Sequence, residues 1–324
     1  MLLAAATILI GFIVLIWSAD LFVAGAASIA ENMGMSPIII GLTIVSLGTS
    51  APEILVSLTA ALSGAGDLAI GNAIGSNIAN IGLVLGITLL VVPMMVHKSC
   101  MKKEMPLLLL VTISAGVLLI DSELSSLDAW LMVGTLVLII VHMVRSQQQD
   151  EVLVEEAEEE YLQGLSPLRA WLSFVIGLSL LVVSSRMLVW GAVVVAETLG
   201  VSELIIGLTI VAVGTSLPEL AATIASALRG HTEIAIGNVI GSNMFNLLAV
   251  MSIPGIVAAE TLEPAVMTRD YPTMAFLTVF LAFAIFISLG RKASTSGHSY
   301  LGRTVGVLLV SFYALYYYWL YISI

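Results

Sequence analysis

The chain has 324 residues, of which 59% are hydrophobic and 10% charged, and its formal net charge is −11. An ordinary soluble domain carries about 25% charged residues, and a mean hydropathy of +1.10 leaves too little polar surface to cover a globule in water, so lipid is the natural solvent. Seven of the 22 acids lie between Asp150 and Glu160, no basic face exists for nucleic acid, and a lone Cys100 excludes both an intramolecular disulfide and a cysteine-built zinc site.

A membrane-crossing helix needs about 20 mainly apolar residues, and ten stretches qualify. The first, 3–30, lacks the positive start of a secretory signal and runs past signal length, so it reads as a retained span carrying Asp20. The second, 36–62, contains Gly48-Thr49-Ser50-Ala51-Pro52-Glu53. Pro52 has no N–H for the Gly48 carbonyl, and the glycine adds backbone freedom, so a helix break is expected around 48–50. The third, 69–96, contains Gly71-Asn72-Ala73-Ile74-Gly75-Ser76-Asn77-Ile78-Ala79-Asn80, with residues 72, 76 and 80 on one helix face. A short fourth stretch, 105–120, and a fifth, 126–144, complete the first half.

An acidic connection over 146–167 follows, without the turn glycines or ligand spacing of a cation sensor, and reads as a solvated linker. The sixth stretch, 168–196, holds Arg186. The seventh, 202–228, contains Gly214-Thr215-Ser216-Leu217-Pro218-Glu219, and the eighth, 234–258, contains Gly237-Asn238-Val239-Ile240-Gly241-Ser242-Asn243-Met244-Phe245-Asn246. The ninth and tenth cover 271–290 and 303–322.

Ten spans place Lys98, Lys102, Lys103, Arg145, Arg169, Arg229, Arg291, Lys292 and Arg303 on one side and only Arg269 on the other. Basic residues gather on the cytoplasmic side, so the pattern predicts both termini outside and the acidic connection inside. One span more or fewer would scramble that asymmetry.

A shift of 166 residues aligns the halves without a gap from Asp20 to Asn80, and Ile39–Glu53 matches Ile205–Glu219 at twelve of fifteen positions. Each copy holds five spans, an odd number, so the second must enter the membrane from the opposite side. Inverted repeats of this kind occur in secondary transporters, whose sites lie near the midplane on interrupted helices. The expected organisation is a first transmembrane repeat at 1–145, a cytoplasmic linker at 146–167 and a second, inverted repeat at 168–324.

Glu53 and Glu219 fall deep in their spans, where an ionised side chain costs about 2.5–3.5 kcal/mol. Neither span carries an internal Lys or Arg to pair with them. Carboxylates beside hydroxyls and freed carbonyls form a hard oxygen set suited to calcium or sodium. Ser50-x-x-Glu53 and Ser216-x-x-Glu219 also spell capping boxes for re-started helices, though a cap does not require an acid at this depth twice. Gly71-to-Gly75 and Gly237-to-Gly241 have the spacing that lets helices approach closely. Ser76, Asn80, Ser242 and Asn246 are expected to face the carboxylates. Asn77 and Asn243 read equally as interhelical hydrogen-bonding groups. Asp20 and Arg186 occupy equivalent repeat positions with opposite charge, and read equally as a structural ion pair across the repeat interface or as two side chains that snorkel separately.

The doubled Gly-Thr-Ser-x-Pro-Glu, each followed by Gly-Asn-x-Ile-Gly-Ser-Asn, resembles the alpha-repeats of the calcium/cation antiporter superfamily. Within it the chain is most similar to bacterial sodium/calcium exchangers of the inner-membrane type. The resemblance covers nearly the whole chain. It implies an all-α polytopic membrane protein with ten transmembrane helices in two inverted five-helix repeats, and cation sites between the second, third, seventh and eighth. It implies calcium ligation by Glu53 and Glu219 with the Thr49 and Thr215 carbonyls. Flanking sodium sites would use Ser50, Ser76, Ser216, Ser242 and the Ser46 and Ala212 carbonyls, with Glu53 and Glu219 shared. Asn80 and Asn246 would line the site. Potassium-dependent relatives carry an acid where Asn246 stands, so its neutrality argues against potassium dependence.

The expected function is therefore sodium-for-calcium antiport across a prokaryotic cytoplasmic membrane by alternating access, electrogenic and calcium-extruding, with the long stretches 3–30 and 168–196 as sliding elements. No cofactor and no obligatory protein partner is implied; the partners are the two transported ions and the lipid bilayer. Proton- or potassium-coupled calcium exchange is the alternative. An intramembrane hydrolase using Glu53 and Glu219 as acid and base lacks a metal-ligand histidine pair, since His97, His142, His231 and His298 fall at span ends or in connections. Two closely opposed carboxylates favour tight binding over the rapid passage of a channel.

Overall fold

The structure, a computed structural model, describes residues 2–147, 165–199, 212–290 and 298–323. The acidic run 150–160 and the motif residues 205–211 lie outside the described residues. Helix α1 runs over Leu2–Met33. A bent pair follows, α2 over Pro37–Thr49 and α3 over Ala51–Leu62, and then α4 over Gly66–Val91. The first half closes with α5, Glu104–Leu118, and α6, Ser126–Gln147. The second half contains α7, Pro167–Thr198, the single turn α8, Ala212–Thr215, and α9, Leu217–Leu228. It ends with α10 over Thr232–Val257, α11 over Val266–Ser288 and α12 over Arg303–Ile322. The chain is an all-α integral membrane protein in its spanning parts. Among the described residues, seven helices are long and apolar enough to cross a bilayer, eight if the bent pair is one span.

Helices α1 and α7 have 32 residues each, about 48 Å at 1.5 Å per residue, against a hydrocarbon core of about 30 Å. Such length is accommodated by tilt. The two pack chiefly on each other and more lightly on the rest. Their seam is built for close approach. A Cβ on Gly25 would stand 2.4 Å from the Phe174 nitrogen, and one on Gly177 would stand 2.5 Å from the Phe22 nitrogen.

The centre of the molecule holds α4 and α10, apolar helices that carry amides and hydroxyls among their buried residues. Every residue of α10 from Ile234 to Phe245 is buried, and α4 buries Ala73, Ile74 and the run Ser76–Ala79. Their amides and hydroxyls are thereby kept from lipid, where an unsatisfied polar group is expensive. Gly237 and Gly241 let α10 lie directly on α2: added Cβ atoms there would meet the Ile38 and Leu42 carbonyls, each at 2.5 Å. The small-residue spacing thus serves packing here.

The structure departs from the sequence expectations in two respects. The third span ends at Val91 rather than 96, because Met94–His97 forms strand β1. With β2 (Glu123–Leu124), β3 (Glu260–Thr261) and β4 (His298–Leu301), it makes two small antiparallel pairs, β1 with β4 and β2 with β3, at registers Met94↔Leu301 and Glu123↔Thr261. Helix α5 runs from β1 to β2 and α11 from β3 to β4, so the two pairs cap opposite ends of the same helices. The spans also contain π-helical turns at Gly41–Val45, Asn80–Leu85, Asn246–Val250 and Val266–Asp270.

Candidate functional site

The break between α2 and α3 falls at Ser50, whose φ of −82° and ψ of 3° turn the chain, and the two helices meet at a 44° bend. Ser216 makes the same corner between α8 and α9, at φ −87° and ψ 4°. Pro52 and Pro218 sit in the first turns of the re-started helices, where a missing N–H costs nothing. Glu53 and Glu219 occupy the first turns too, at the positive ends of the helix dipoles. Both acids are 1% exposed.

The capping boxes are not completed. Neither Ser50 nor Ser216 gives its side chain to its own helix start. Instead the Ser50 hydroxyl crosses between the halves and donates to Glu219 Oε1 at 3.4 Å. The two repeat-related acids therefore share one buried neighbourhood.

Among the buried polar atoms of the described residues that have no protein partner are Oε2 of both glutamates, the hydroxyls of Ser216 and Ser242, and both amide atoms of Asn80 and Asn246. Buried polar groups are nearly always paired, so a cluster of unpaired ones must be satisfied by water or a bound ion. Asn80 and Asn246 each open a π-helical turn, a distortion frequent at functional sites. Ser76 and Ser242 stand one turn earlier on the same faces and are also buried. Among the described residues, no three His, Cys, Asp or Glu side chains gather into a metal-binding group. The two carboxyl groups and the neutral hydroxyls, carbonyls and amides beside them are a hard oxygen-donor set.

Other sequence-chosen residues have local roles. The Ser46 carbonyl accepts the Ser50 N–H at 2.9 Å and the Thr49 hydroxyl at 3.3 Å, while the Ser46 hydroxyl donates to the Leu42 carbonyl at 2.7 Å. Ala212 and Thr215 begin and end the single turn α8 before the Ser216 corner. Asn77 donates to the Asn243 carbonyl at 3.2 Å, an interhelical bond between equivalent residues.

The Asp20–Arg186 pairing does not form. Gly11 faces Ser184 and Leu188, and Gly25 faces Ala170 and Phe174, so α1 and α7 are antiparallel and Arg186 lies level with Gly11. Asp20 is nine residues further along, about 13 Å at 1.5 Å per residue, beyond the reach of an ion pair. Asp20 instead pairs with Arg229 at the end of α9.

Sequence reasoning grouped Asn72 and Asn238 with the polar faces but missed their partners. Asn72 Nδ2 donates to the Ser57 hydroxyl at 3.0 Å and to the Glu53 carbonyl at 3.1 Å. Asn238 Nδ2 donates to the Thr223 hydroxyl at 2.9 Å. The two amide–hydroxyl bonds are equivalent under the 166-residue shift, and a hydroxyl residue recurring fifteen positions before each asparagine was the signal available.

The family model for the sodium/calcium exchanger protein matches residues 3–145 and 169–322. The chain is similar to the inner membrane protein YrbG of Escherichia coli strain K12, at 39% identity over 95% of this chain and 94% of that protein. It is similar to the sodium/calcium exchanger MaX1 of Methanosarcina acetivorans, at 30% identity over 94% of this chain and 95% of the other. In three dimensions it resembles the sodium-calcium exchanger NCX_Mj soaked with sodium and calcium, with a TM-score of 0.81, 30% identity and 97% of each chain covered.

Proposed function

The chain belongs to the sodium/calcium exchanger protein family, and from that premise we propose that it extrudes calcium in exchange for sodium by alternating access. It is a cation antiporter rather than an enzyme, and calcium and sodium are its cargo. The observation that carries the ion site is the Ser50–Glu219 bond between halves, set among unpaired buried oxygens. Glu53 and Glu219 hold calcium with the Thr49 and Thr215 carbonyls. Ser50, Ser76, Ser216, Ser242 and the Ser46 and Ala212 carbonyls serve sodium, and Asn80 and Asn246 line the space between.

Ten spans in two inverted repeats, 1–145 and 168–324 joined by the linker 146–167, give this site its symmetry. The strand pairs support the inversion. A shift of 166 carries Met94 of β1 onto Glu260 of β3, yet these equivalent strands cap opposite ends of the molecule, each paired with a strand from the other half. Both termini face outward in a prokaryotic cytoplasmic membrane, as the basic residues direct. Helices α1 and α7, joined by their glycine seam, slide as a pair to expose the site alternately.

Calcium flux into proteoliposomes, with sodium, potassium and proton gradients imposed one at a time, tests the coupling. Flux is expected under the sodium gradient; calcium movement driven by the proton or potassium gradient alone would overturn the assignment.

A further inference from the structure

The two asparagine clamps are equivalent in sequence but not in reach. Both Asn72 and Asn238 donate to a hydroxyl fifteen residues earlier, on Ser57 and Thr223, and each bond ties a re-started helix to its neighbour. Stapling accounts for that much. Asn238 makes a further bond that stapling does not require: its Oδ1 accepts the Thr49 hydroxyl at 3.1 Å, across the boundary between the halves. Thr49, Asn238 and Thr223 are all fully buried, so no water competes for these groups.

We propose that Asn238 is a positioning residue for cation binding, acting through Thr49. A hydroxyl has one proton and two lone pairs. The Thr49 proton is shared between Asn238 Oδ1 at 3.1 Å and, more weakly, the Ser46 carbonyl at 3.3 Å, which keeps it off the glutamates and fixes the side-chain torsion beside the calcium-ligating carbonyl, at the last residue before the helix break. Asn238 is suited to the task because its amide is held between two hydroxyls, the nitrogen toward Thr223 and the oxygen toward Thr49. The chain Thr223–Asn238–Thr49 thus runs from α9 through α10 to α2, linking the second turn after the Ser216 break with the last turn before the Ser50 break. A valine at 49 would keep the backbone and lose the tie; an alanine at 238 would leave the hydroxyl proton to the Ser46 carbonyl, a proposed sodium ligand, and to the neighbouring glutamate.

This inference rests on the exchange reading for its ligand. It is tested by calcium and sodium binding to the purified full chain, with a double-mutant cycle. Asn238→Ala is expected to weaken calcium binding about tenfold, the scale of one lost buried hydrogen bond and its unpaired partner. Thr223→Val, which leaves both Asn238 and Thr49 in place, is expected to act in the same direction with a smaller effect and covers the case that Asn238→Ala does not fold. In a Thr49→Val background, Asn238→Ala or Thr223→Val should add nothing further. Full additivity would overturn the role through Thr49, because a purely structural clamp would weaken binding equally in both backgrounds. Unaltered binding by folded Asn238→Ala, beside a wild type that binds calcium, would also overturn it while sparing the exchange reading. A wild type that binds no calcium would instead overturn the exchange reading, and this inference with it.

Discussion

Glu53 and Glu219 illustrate how far single residues can be read. Their doubled occurrence beside proline, at lipid depth, was legible from sequence because an ionised group there costs about 2.5–3.5 kcal/mol and demands a reason. Which atoms meet them was not legible. Ser50 has the spacing of a cap for its own helix, and only the crossing of the two breaks sends its hydroxyl to Glu219. The Asn72–Ser57 and Asn238–Thr223 bonds escaped for a similar reason: they join helices whose relative rotation a sequence does not state. The paired acids also fix an expectation. With two carboxylates the pocket carries −2 and one calcium ion neutralises it; Glu53→Gln or Glu219→Gln leaves −1. A residual charge at this depth is expected to lower calcium exchange by about a hundredfold, from the same 2.5–3.5 kcal/mol scale. Radiolabelled calcium uptake measures it, and either variant retaining near wild-type uptake would remove that carboxylate from the site.

At the scale of elements, proline placement was enough to locate both breaks, and hydrophobic length located seven spans, eight with the bent pair, among the described residues. The breaks fall at Ser50 and Ser216, inside the segments expected. The π-helical turns were invisible, since an extra residue in a turn leaves no mark on apolar periodicity, and two of them begin at Asn80 and Asn246. The Asp20–Arg186 expectation failed at this scale as well. Equivalent positions in inverted repeats need not be neighbours, because antiparallel packing of α1 on α7 separates them along the axis, and Arg229 takes the acid instead. The seam between those helices yields a sharper test. Valine at Gly177 would force its Cβ into the Phe22 backbone, nominally 2.5 Å away, and backbone, unlike a side-chain tip, has no alternative rotamer. Gly177→Val is expected to spread the pair and slow exchange severalfold, with calcium binding by the resting protein much less affected because the seam does not contain the acids. Flux and equilibrium binding measured on the same preparation separate the two. Unchanged flux would show that α1 and α7 do not move as a close-packed unit.

For the molecule as a whole, the decisive quantity is net charge moved per cycle. The binding region presents two carboxylates, with hydroxyls, carbonyls and amides as its other donors. One calcium ion brings it to neutrality, and so do two sodium ions. A third sodium must be held by neutral oxygens alone and leaves the loaded site at +1, which the unpartnered hydroxyls of Ser216 and Ser242, with the Ser50 and Ser76 oxygens, are expected to accommodate. Exchange of three sodium ions for one calcium then carries one net positive charge inward for each calcium extruded. Moving that charge through the membrane field contributes about 2.3 kcal/mol per 100 mV, so an inside-negative potential should drive calcium outward. In vesicles clamped with potassium and valinomycin, the sodium gradient that just balances a fixed calcium gradient should shift with potential. The shift expected is that of one charge, and its sign should favour calcium leaving the negative compartment. A balance point that does not move with potential would mean two sodium ions per calcium, leaving the neutral oxygens without a third ion to hold.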